Sequence, residues 1–295
     1  MSSQSEMSNS DLHIMKRLPI YCLILLLKFT SCAADSQSQD LKDSIETRME
    51  ELIMQNNLPG MSFSIIYSGG KQLNCSAGYA DTEKEILLSP EHVMFSGSIG
   101  KTYSVAVLMQ LVEEGKIDLD ARFISFFPET GWLKRLPNMA EITVRQLLEH
   151  RSGLPRYIDE EGVWDSLYNN PDKVWTYEDR LAFIFDKEPV HDVGNGWAYS
   201  DSNYLLIGML IEKITDSPYY SEVNSRILEP QNLQNTHPSL TREITNLPIG
   251  YSNLPPFFKM PEKVVENGKF VFNPQMEWTG GGFASTTGDL AKWAK

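Results

Sequence analysis

Apolar residues recur every three or four positions in several parts of the chain, and this spacing predicts amphipathic helices. The first such segment covers 41–60 and ends at a Pro-Gly pair. Two strand-like runs follow at 61–68 and 71–80, and the two glycines between them predict a β-hairpin. A further helix is predicted over 104–115, where a glycine ends it.

The pattern changes in the middle of the chain. From about 126 to 258, short helical segments alternate with links rich in Pro, Gly, Asn and Trp, which predicts a mainly helical lobe. Small residues open the last stretch, 280–295, and Ser285 or Thr286 is predicted to cap a final helix. This order indicates an α/β domain that is interrupted by an all-α insertion.

The first residues predict export. A basic start precedes the short apolar core Leu18–Leu27, which has signal-peptide length and is too short to span a bilayer comfortably. Small residues then precede Cys32, in a pattern that resembles the lipobox of bacterial lipoproteins, although Phe29 stands where leucine is usual. Lipidation of Cys32 and plain secretory cleavage both stay open. The expected location is secreted, periplasmic or membrane-anchored in a bacterial envelope.

The domain prediction follows from these changes of pattern. It has five parts: an upstream extension with signal peptide at 1–32, a tether at 33–44, the first part of the α/β domain at 45–125, the helical lobe at 126–274, and the return to the α/β domain at 275–295.

The composition and net charge limit the kinds of molecule that the chain is expected to bind. The chain is 41% hydrophobic and 22% charged, as globular proteins are, and its net charge of −13 repels phosphate backbones. We therefore expect no nucleic-acid partner. His92, His191 and His237 lack metal-ligand spacing, so no metal is predicted. No cofactor is predicted either. Cys75 lies in a strand-like run and is predicted to fill core space.

Residues 95–104, FSGSIGKTYS, allow two interpretations. Gly100-Lys101-Thr102 resembles the end of a phosphate-binding loop, but that loop requires a glycine five residues before Gly100. Phe95 stands there, and backbone amides cannot wrap a phosphate without that turn. The other interpretation takes Ser98 with Lys101, three residues later, as the Ser-x-x-Lys spacing of an acylated-serine hydrolase.

The chemistry of this pair depends on helix geometry. With Ser98 at the start of a helix, Lys101 lies one turn later on the same face and can reach the hydroxyl. A serine hydroxyl is a weak nucleophile until a base takes its proton, and a lysine is a base only when neutral. The positive end of the helix and the Ser98 amide favour the oxyanion that forms during attack. Ser-x-x-Lys alone is nevertheless a common pattern.

Three distant segments strengthen the second interpretation. The nucleophile segment 95–120 is followed by 142–155, ITVRQLLEHRSGLP, by 197–215, WAYSDSNYLLIGMLIEKIT, and by 280–295, GGGFASTTGDLAKWAK. In this order they resemble the β-lactamase-like, penicillin-recognising serine hydrolases. The resemblance implies an α/β plus all-α chain with the β-lactamase/D,D-peptidase-like fold, in which helices flank an antiparallel sheet and a helical lobe is inserted.

The resemblance also implies site residues. Tyr199 matches the tyrosine of the family's Tyr-x-Asn motif, which helps to move the proton of the nucleophile, and Ser200 is the second choice for this position. Asp201 stands where Asn is usual and is assigned to substrate binding, with two alternatives: an ion pair with Lys101 or a cap on the following helix. His150 is expected to be structural.

The family's third motif, Lys-Thr-Gly or His-x-Gly, follows the helix that ends this sequence. We therefore expect a C-terminally truncated chain whose closing strands are missing and whose activity is impaired.

The predicted function is that of a serine hydrolase. It would form an acyl-enzyme on amide or ester bonds of β-lactams, D-Ala-D-Ala peptides or small esters, so its partners are small-molecule or peptide substrates. Membrane contact is expected only through the N-terminal lipid. The alternative is a non-catalytic envelope lipoprotein that uses the same scaffold for binding.

Overall fold

The computed structural model describes residues 38–67, 69–255 and 258–295. The predicted signal peptide and Cys32 lie outside these ranges, so export and lipidation stay predictions. Within the described ranges, no helix is both long enough and apolar enough to cross a membrane.

The described elements are helices and short antiparallel strands. The helices are α1 (38–56), α2 (Gly100–Glu113), α3 (Val144–Leu148), α4 (Val163–Asn169), α5 (Tyr177–Leu181), α6 (Asp201–Thr215), α7 (Tyr219–Val223) and α8 (Thr287–Ala294). The strands are β1 (Gly60–Ile66), β2 (Gln72–Asp81), β3 (Ile86–Leu87), β4 (Met94–Phe95), β5 (Thr236–Pro238), β6 (Val265–Glu266), β7 (Lys269–Phe270) and β8 (Phe283–Ser285).

The β1–β2 hairpin forms as predicted and has a helix on each face. Its strands pair antiparallel from Gly60 with Gly78 to Ile66 with Gln72. α1 packs on one side, where Met49 and Cys75 share a small apolar cluster. α8 packs on the other side, and the Thr287 hydroxyl lies 2.8 Å from the hydroxyl of Ser64. α1 starts at 38, so it includes part of the segment predicted as a tether.

A second sheet closes around the end of the chain. β8 pairs with β4 on one side and with β5 on the other, which brings Ala284 opposite both Phe95 and His237. The sequence analysis did not predict these short strands, because runs of two or three residues carry no readable alternation. Thr286 then caps α8 by accepting a hydrogen bond from the Asp289 amide. It is one of the two residues that were predicted as the cap.

α6 passes through the centre of the helical lobe. Residues 202–211 are all buried, and the helix packs against α2, α3, α5, α7 and the turn Pro274–Gly280. From 204 to 211 its sequence is apolar on every side, which is typical of a helix buried all round. Gly208 lets the turn approach closely, since a Cβ there would lie 2.3 Å from Thr279 Cγ2. The starts of α2 and α6 and this turn meet at one cleft.

Candidate active site

Ser98 lies at the entrance to α2. A single 3-10 turn, Gly97–Ile99, leads directly into the helix, and Gly97 takes a positive φ of 50° at the bend. The Ser98 side chain is exposed, while Lys101, one turn later, is only 5% exposed. The predicted geometry is therefore present: an accessible hydroxyl at a helix N-terminus, with the lysine buried beneath it.

The Ser98 hydroxyl has two polar neighbours. Its Oγ lies 2.6 Å from the Tyr199 hydroxyl and accepts a hydrogen bond of 3.3 Å from Lys101 Nζ. Because the lysine donates to Oγ, the proton of Ser98 is free to point at Tyr199. Ser200, the second choice, instead donates from its hydroxyl to the Pro155 carbonyl at 3.0 Å. Tyr199 is thus the residue that meets the nucleophile.

Lys101 is fixed by three acceptors. Besides Ser98, its Nζ donates to Asp201 Oδ1 at 2.5 Å and to the Gly280 carbonyl at 2.6 Å. An ammonium group has three protons and no lone pair, so these contacts use its full capacity. In this arrangement Lys101 acts as a donor and a positive charge, and its nitrogen presents no lone pair to Ser98.

Asp201 joins two cations. Its Oδ1 accepts from Lys101, and its Oδ2 accepts from Arg156 Nε at 2.7 Å. Burial by itself raises the pKa of Asp201, but the Lys101 ammonium and the Arg156 guanidinium outweigh it and hold the pKa below its ordinary value. The ion pair with Lys101, one of the sequence alternatives, is therefore observed. A substrate-binding role for Asp201 stays a prediction, and both of its oxygens are already engaged.

Tyr199 is held between a ring and two cations. Lys101 Nζ lies 5.1 Å from the centre of its ring, the Arg156 guanidinium carbon lies 5.4 Å from it, and the His150 ring centre is 4.6 Å away. These contacts hold the Tyr199 ring beside Ser98, with two cationic side chains over it.

His150 supports the start of α6. Its Nδ1 accepts a hydrogen bond from the Ser200 amide at 3.1 Å, and its ring lies against that of Tyr199. Burial lowers the pKa of His150, and the Lys101 ammonium lowers it further, so the ring is neutral and can accept. These contacts agree with the structural role that we expected.

The third wall of the cleft is the turn Pro274–Gly280. It supplies the Gly280 carbonyl to Lys101 and brings Glu277 to the cleft. The cleft has a volume of about 100 Å³, and Ser98, Arg156 and Asp201 line it as well. A larger apolar cavity, about 220 Å³, lies beside β4 and β7 and contains none of the residues predicted for catalysis. Over the described ranges, no three His, Cys, Asp or Glu side chains are placed to hold a metal ion.

Three groups of the site were missed by sequence reasoning: Arg156, the Gly280 carbonyl and Glu277. Arg156 directly follows the quoted segment 142–155, so extending that segment by one residue would have included it. Gly280 is the first residue of the segment 280–295, but its contact with Lys101 and the position of Glu277 depend on the packing of the turn against α6, which no local pattern indicates.

Known proteins resemble this chain over most of its length. Protein flp of Staphylococcus aureus strain MRSA252 is 28% identical over 199 residues, which cover 68% of this chain and 38% of that protein. This chain therefore aligns with well under half the length of that relative.

Two solved structures share the fold. D-amino acid amidase from Ochrobactrum anthropi SV3, complexed with L-phenylalanine amide, superposes with a TM-score of 0.71 at 27% identity, covering 86% of this chain and 68% of the amidase. A D-stereospecific amidohydrolase from Streptomyces sp. superposes with a TM-score of 0.64 at 29% identity, covering 80% of this chain and 67% of that one.

The family model agrees with these likenesses and with the predicted fold. The model described as Beta-lactamase matches residues 41–295, which contain every described residue of the cleft. A serine at a helix entrance, a lysine beneath it and a tyrosine facing it thus occur in a chain that belongs to the beta-lactamase family of serine hydrolases.

Proposed function

We propose that this protein hydrolyses amide or ester bonds through an acyl-enzyme formed on Ser98. The observation that carries the proposal is the position of Ser98 Oγ, 2.6 Å from the Tyr199 hydroxyl and 3.3 Å from Lys101 Nζ. An exposed nucleophile within hydrogen-bond reach of a proton acceptor is the arrangement that nucleophilic catalysis needs.

In the acylation step, Ser98 Oγ attacks the carbonyl carbon of the substrate while its proton passes to the Tyr199 oxygen. The bond from Oγ to the acyl carbon forms, and the carbonyl oxygen takes the negative charge. That charge develops at the N-terminal end of α2, where the Ser98 amide and the helix dipole favour it. The Lys101 ammonium stabilises the Tyr199 phenolate that accepts the proton, so Lys101 acts through its charge.

The leaving group then departs with the proton from Tyr199, as the bond from the acyl carbon to the leaving nitrogen or oxygen breaks. In the second step water attacks the acyl-enzyme, and Tyr199 takes a proton from that water. Return of this proton to Ser98 Oγ breaks the ester and releases the acid, which restores the starting state.

The substrate class is proposed from the neighbours' names and the size of the cleft. Amides of amino acids are the first compounds to test, because the two solved neighbours are described as an amino acid amidase and an amidohydrolase. β-Lactams, D-Ala-D-Ala peptides and small esters remain in the proposal, since the same chemistry opens each of them. With the signal-peptide pattern and Cys32, we also propose that the enzyme works in the cell envelope.

The test is hydrolysis by the full-length protein, including whatever its gene encodes after Lys295. The proposal expects turnover of at least one compound from a panel of amino acid amides, a chromogenic cephalosporin and short esters, with turnover abolished in Ser98→Ala. If the wild type turns over none of them and binds fluorescent penicillin only reversibly, the scaffold is a binding protein and the hydrolase proposal is wrong.

A further inference from the structure

Glu277 differs from the other charged groups of the cleft because it has no partner. Its side chain is exposed to the cleft that Ser98 also lines. Among the residues that the structure describes, none forms a hydrogen bond or an ion pair with its carboxylate. Although the side chain is open to the cleft, the protein atoms around it displace water and so raise the pKa of Glu277. The negative charge of Asp201 raises this pKa further, and the charges of Lys101, Arg156 and Arg180 oppose the rise only in part.

The backbone before Glu277 is held rigidly. Arg180, which is only 1% exposed, donates from Nε to the Met276 carbonyl at 2.7 Å and from Nη2 to the Gln275 carbonyl at 2.8 Å. The Tyr157 hydroxyl donates to the same Met276 carbonyl at 3.1 Å. Burying an arginine without a carboxylate partner costs free energy. Here the guanidinium holds the backbone of the turn just before Glu277.

The backbone after Glu277 is held in the same way. Thr279 Oγ1 donates to the Tyr204 carbonyl at 2.7 Å, and Ser104 Oγ donates to the Thr279 carbonyl at 3.1 Å. Between these anchors Trp278 has φ 39° and ψ −117°, a conformation that is costly for any residue except glycine. Glu277 therefore has a fixed backbone and a free carboxylate, which is how a binding group is held in place for a ligand.

The two cations that flank Ser98 and Tyr199 make their direct contacts with other carboxylates. Lys101 and Arg156 are matched by Asp201, which contacts both, and by Asp159, whose Oδ1 accepts from Arg156 at 3.3 Å. The charges of Lys101, Arg156 and Arg180 act on Glu277 from a distance, but none of these three side chains contacts its carboxylate. A ligand that enters the cleft next to Ser98 meets this carboxylate, and a cation on the ligand can make the direct contact that the protein cations do not make.

We propose that Glu277 selects substrates that carry an ammonium group close to the scissile carbonyl, and that its carboxylate binds this ammonium while Ser98 attacks. The inference rests on the proposed function, since it names a specificity residue for the same reaction. The ammonium must lie within a few bonds of the carbonyl, because the cleft measures only about 100 Å³.

The experiment compares two substrates that differ only in the cation: phenylalanine p-nitroanilide, as both enantiomers, and 3-phenylpropanoyl p-nitroanilide. At pH 6.5 the α-amino group, with a pKa of about 7.7–8.0, is protonated. We expect the wild type to prefer the cationic compound. Glu277→Gln should lower kcat/KM for that compound about tenfold and leave the neutral compound unchanged. Glu50→Gln removes an equal charge from an exposed position on α1 and should change neither.

The outcomes separate this inference from the proposed function. Equal losses on both compounds, or an unchanged preference in Glu277→Gln, overturn the inference while the hydrolase survives. If the wild type cleaves neither compound and a fluorophosphonate leaves Ser98 unlabelled, both proposals fall. Should Glu277→Gln not fold, the wild type still decides: a kcat/KM for the neutral compound that equals or exceeds the cationic one contradicts the inference.

Discussion

Two walls of the same cleft each carry one carboxylate, and the two carboxylates have opposite environments. On the proton-handling wall, made of Lys101, Tyr199, Arg156 and Asp201, both oxygens of Asp201 are bound by cations and its pKa lies below the ordinary value. On the opposing turn, Pro274–Gly280, the carboxylate of Glu277 has no bonded partner among the described residues and its pKa is raised.

This difference indicates a division of labour. A carboxylate with two cationic partners has no capacity left for a ligand and instead holds Lys101 and Arg156 next to the Tyr199 ring. A carboxylate that is fixed but unpaired lowers the stability of the free protein slightly and is compensated when a cation binds. Two titratable groups whose environments shift their pKa values apart have separate tasks. Asp201 holds the groups next to the nucleophile in place, and we assign recognition to Glu277.

The largest effect is expected from removing the acceptor on the proton-handling wall. Tyr199→Phe deletes the hydroxyl that lies 2.6 Å from Ser98 Oγ and keeps the ring beneath the cations. Acylation of Ser98 should slow by roughly 10²–10⁴-fold, the usual contribution of a general base. Stopped-flow measurement of the acylation rate with an activated ester checks this, with near-UV circular dichroism as the folding control. A loss below threefold would assign the proton to another base.

A smaller effect is expected from Asp201→Asn, which leaves Lys101 and Arg156 without their shared anion. At pH 7 the free energy of unfolding should fall by about 1–3 kcal/mol, because hydrogen bonds to charged groups are lost. The native pKa of Asp201 is lowered, so its contribution is complete above the unfolded value of about 3.9 and is lost as the pH falls through the native value. Urea titrations of variant and wild type should therefore begin to converge below about pH 4 and meet only below the native pKa of Asp201.

The matched control for this change is Asp159→Asn. Asp159 pairs with the same Arg156, at 3.3 Å, but on the exposed rim. Its removal should change the free energy of unfolding by less than about 0.5 kcal/mol, as for most surface ion pairs. Equal losses in the two variants would show that the inner carboxylate has no special role.

The smallest effect has the opposite sign. Glu277→Gln should raise the free energy of unfolding at pH 7, by less than about 1 kcal/mol because the side chain is exposed and solvent screens it. The native pKa of Glu277 is raised, so the gain is present above that pKa and fades as the pH falls towards the unfolded value of about 4.3. Thermal melts across this pH range measure it. Destabilisation at pH 7 would mean that the carboxylate has a stabilising partner, and the contrast between the walls would fail.

The proton-handling wall was largely predictable from the sequence, because its parts lie in local patterns. Ser98 and Lys101 share one helical turn, and the resemblance to the family's Tyr-x-Asn motif pointed to Tyr199, just before a long apolar helix. The pairing of Asp201 with Lys101 was one of the alternatives, since an ionised carboxylate can only accept. Arg156 was missed although it lies next to a segment that was quoted.

The opposing turn was not predictable, for a physical reason. Pro274–Gly280 is neither a regular helix nor a strand, so no hydrophobic period marks it. Its position depends on Gly208 of α6 and on the buried Arg180, which are distant in sequence. The short strands β4, β5 and β8 were missed for a similar reason, because each is defined by its partners across the sheet.

The central claim, that Ser98 is the acylated nucleophile, is tested most directly by peptide mapping after reaction with a fluorophosphonate. The full-length protein is incubated with the probe, digested and analysed by mass spectrometry, beside Ser98→Ala. The account predicts one adduct per chain, on the peptide that contains Ser98, and none in the variant. An unmodified Ser98 peptide in the wild type, or an adduct that persists in Ser98→Ala, would contradict it.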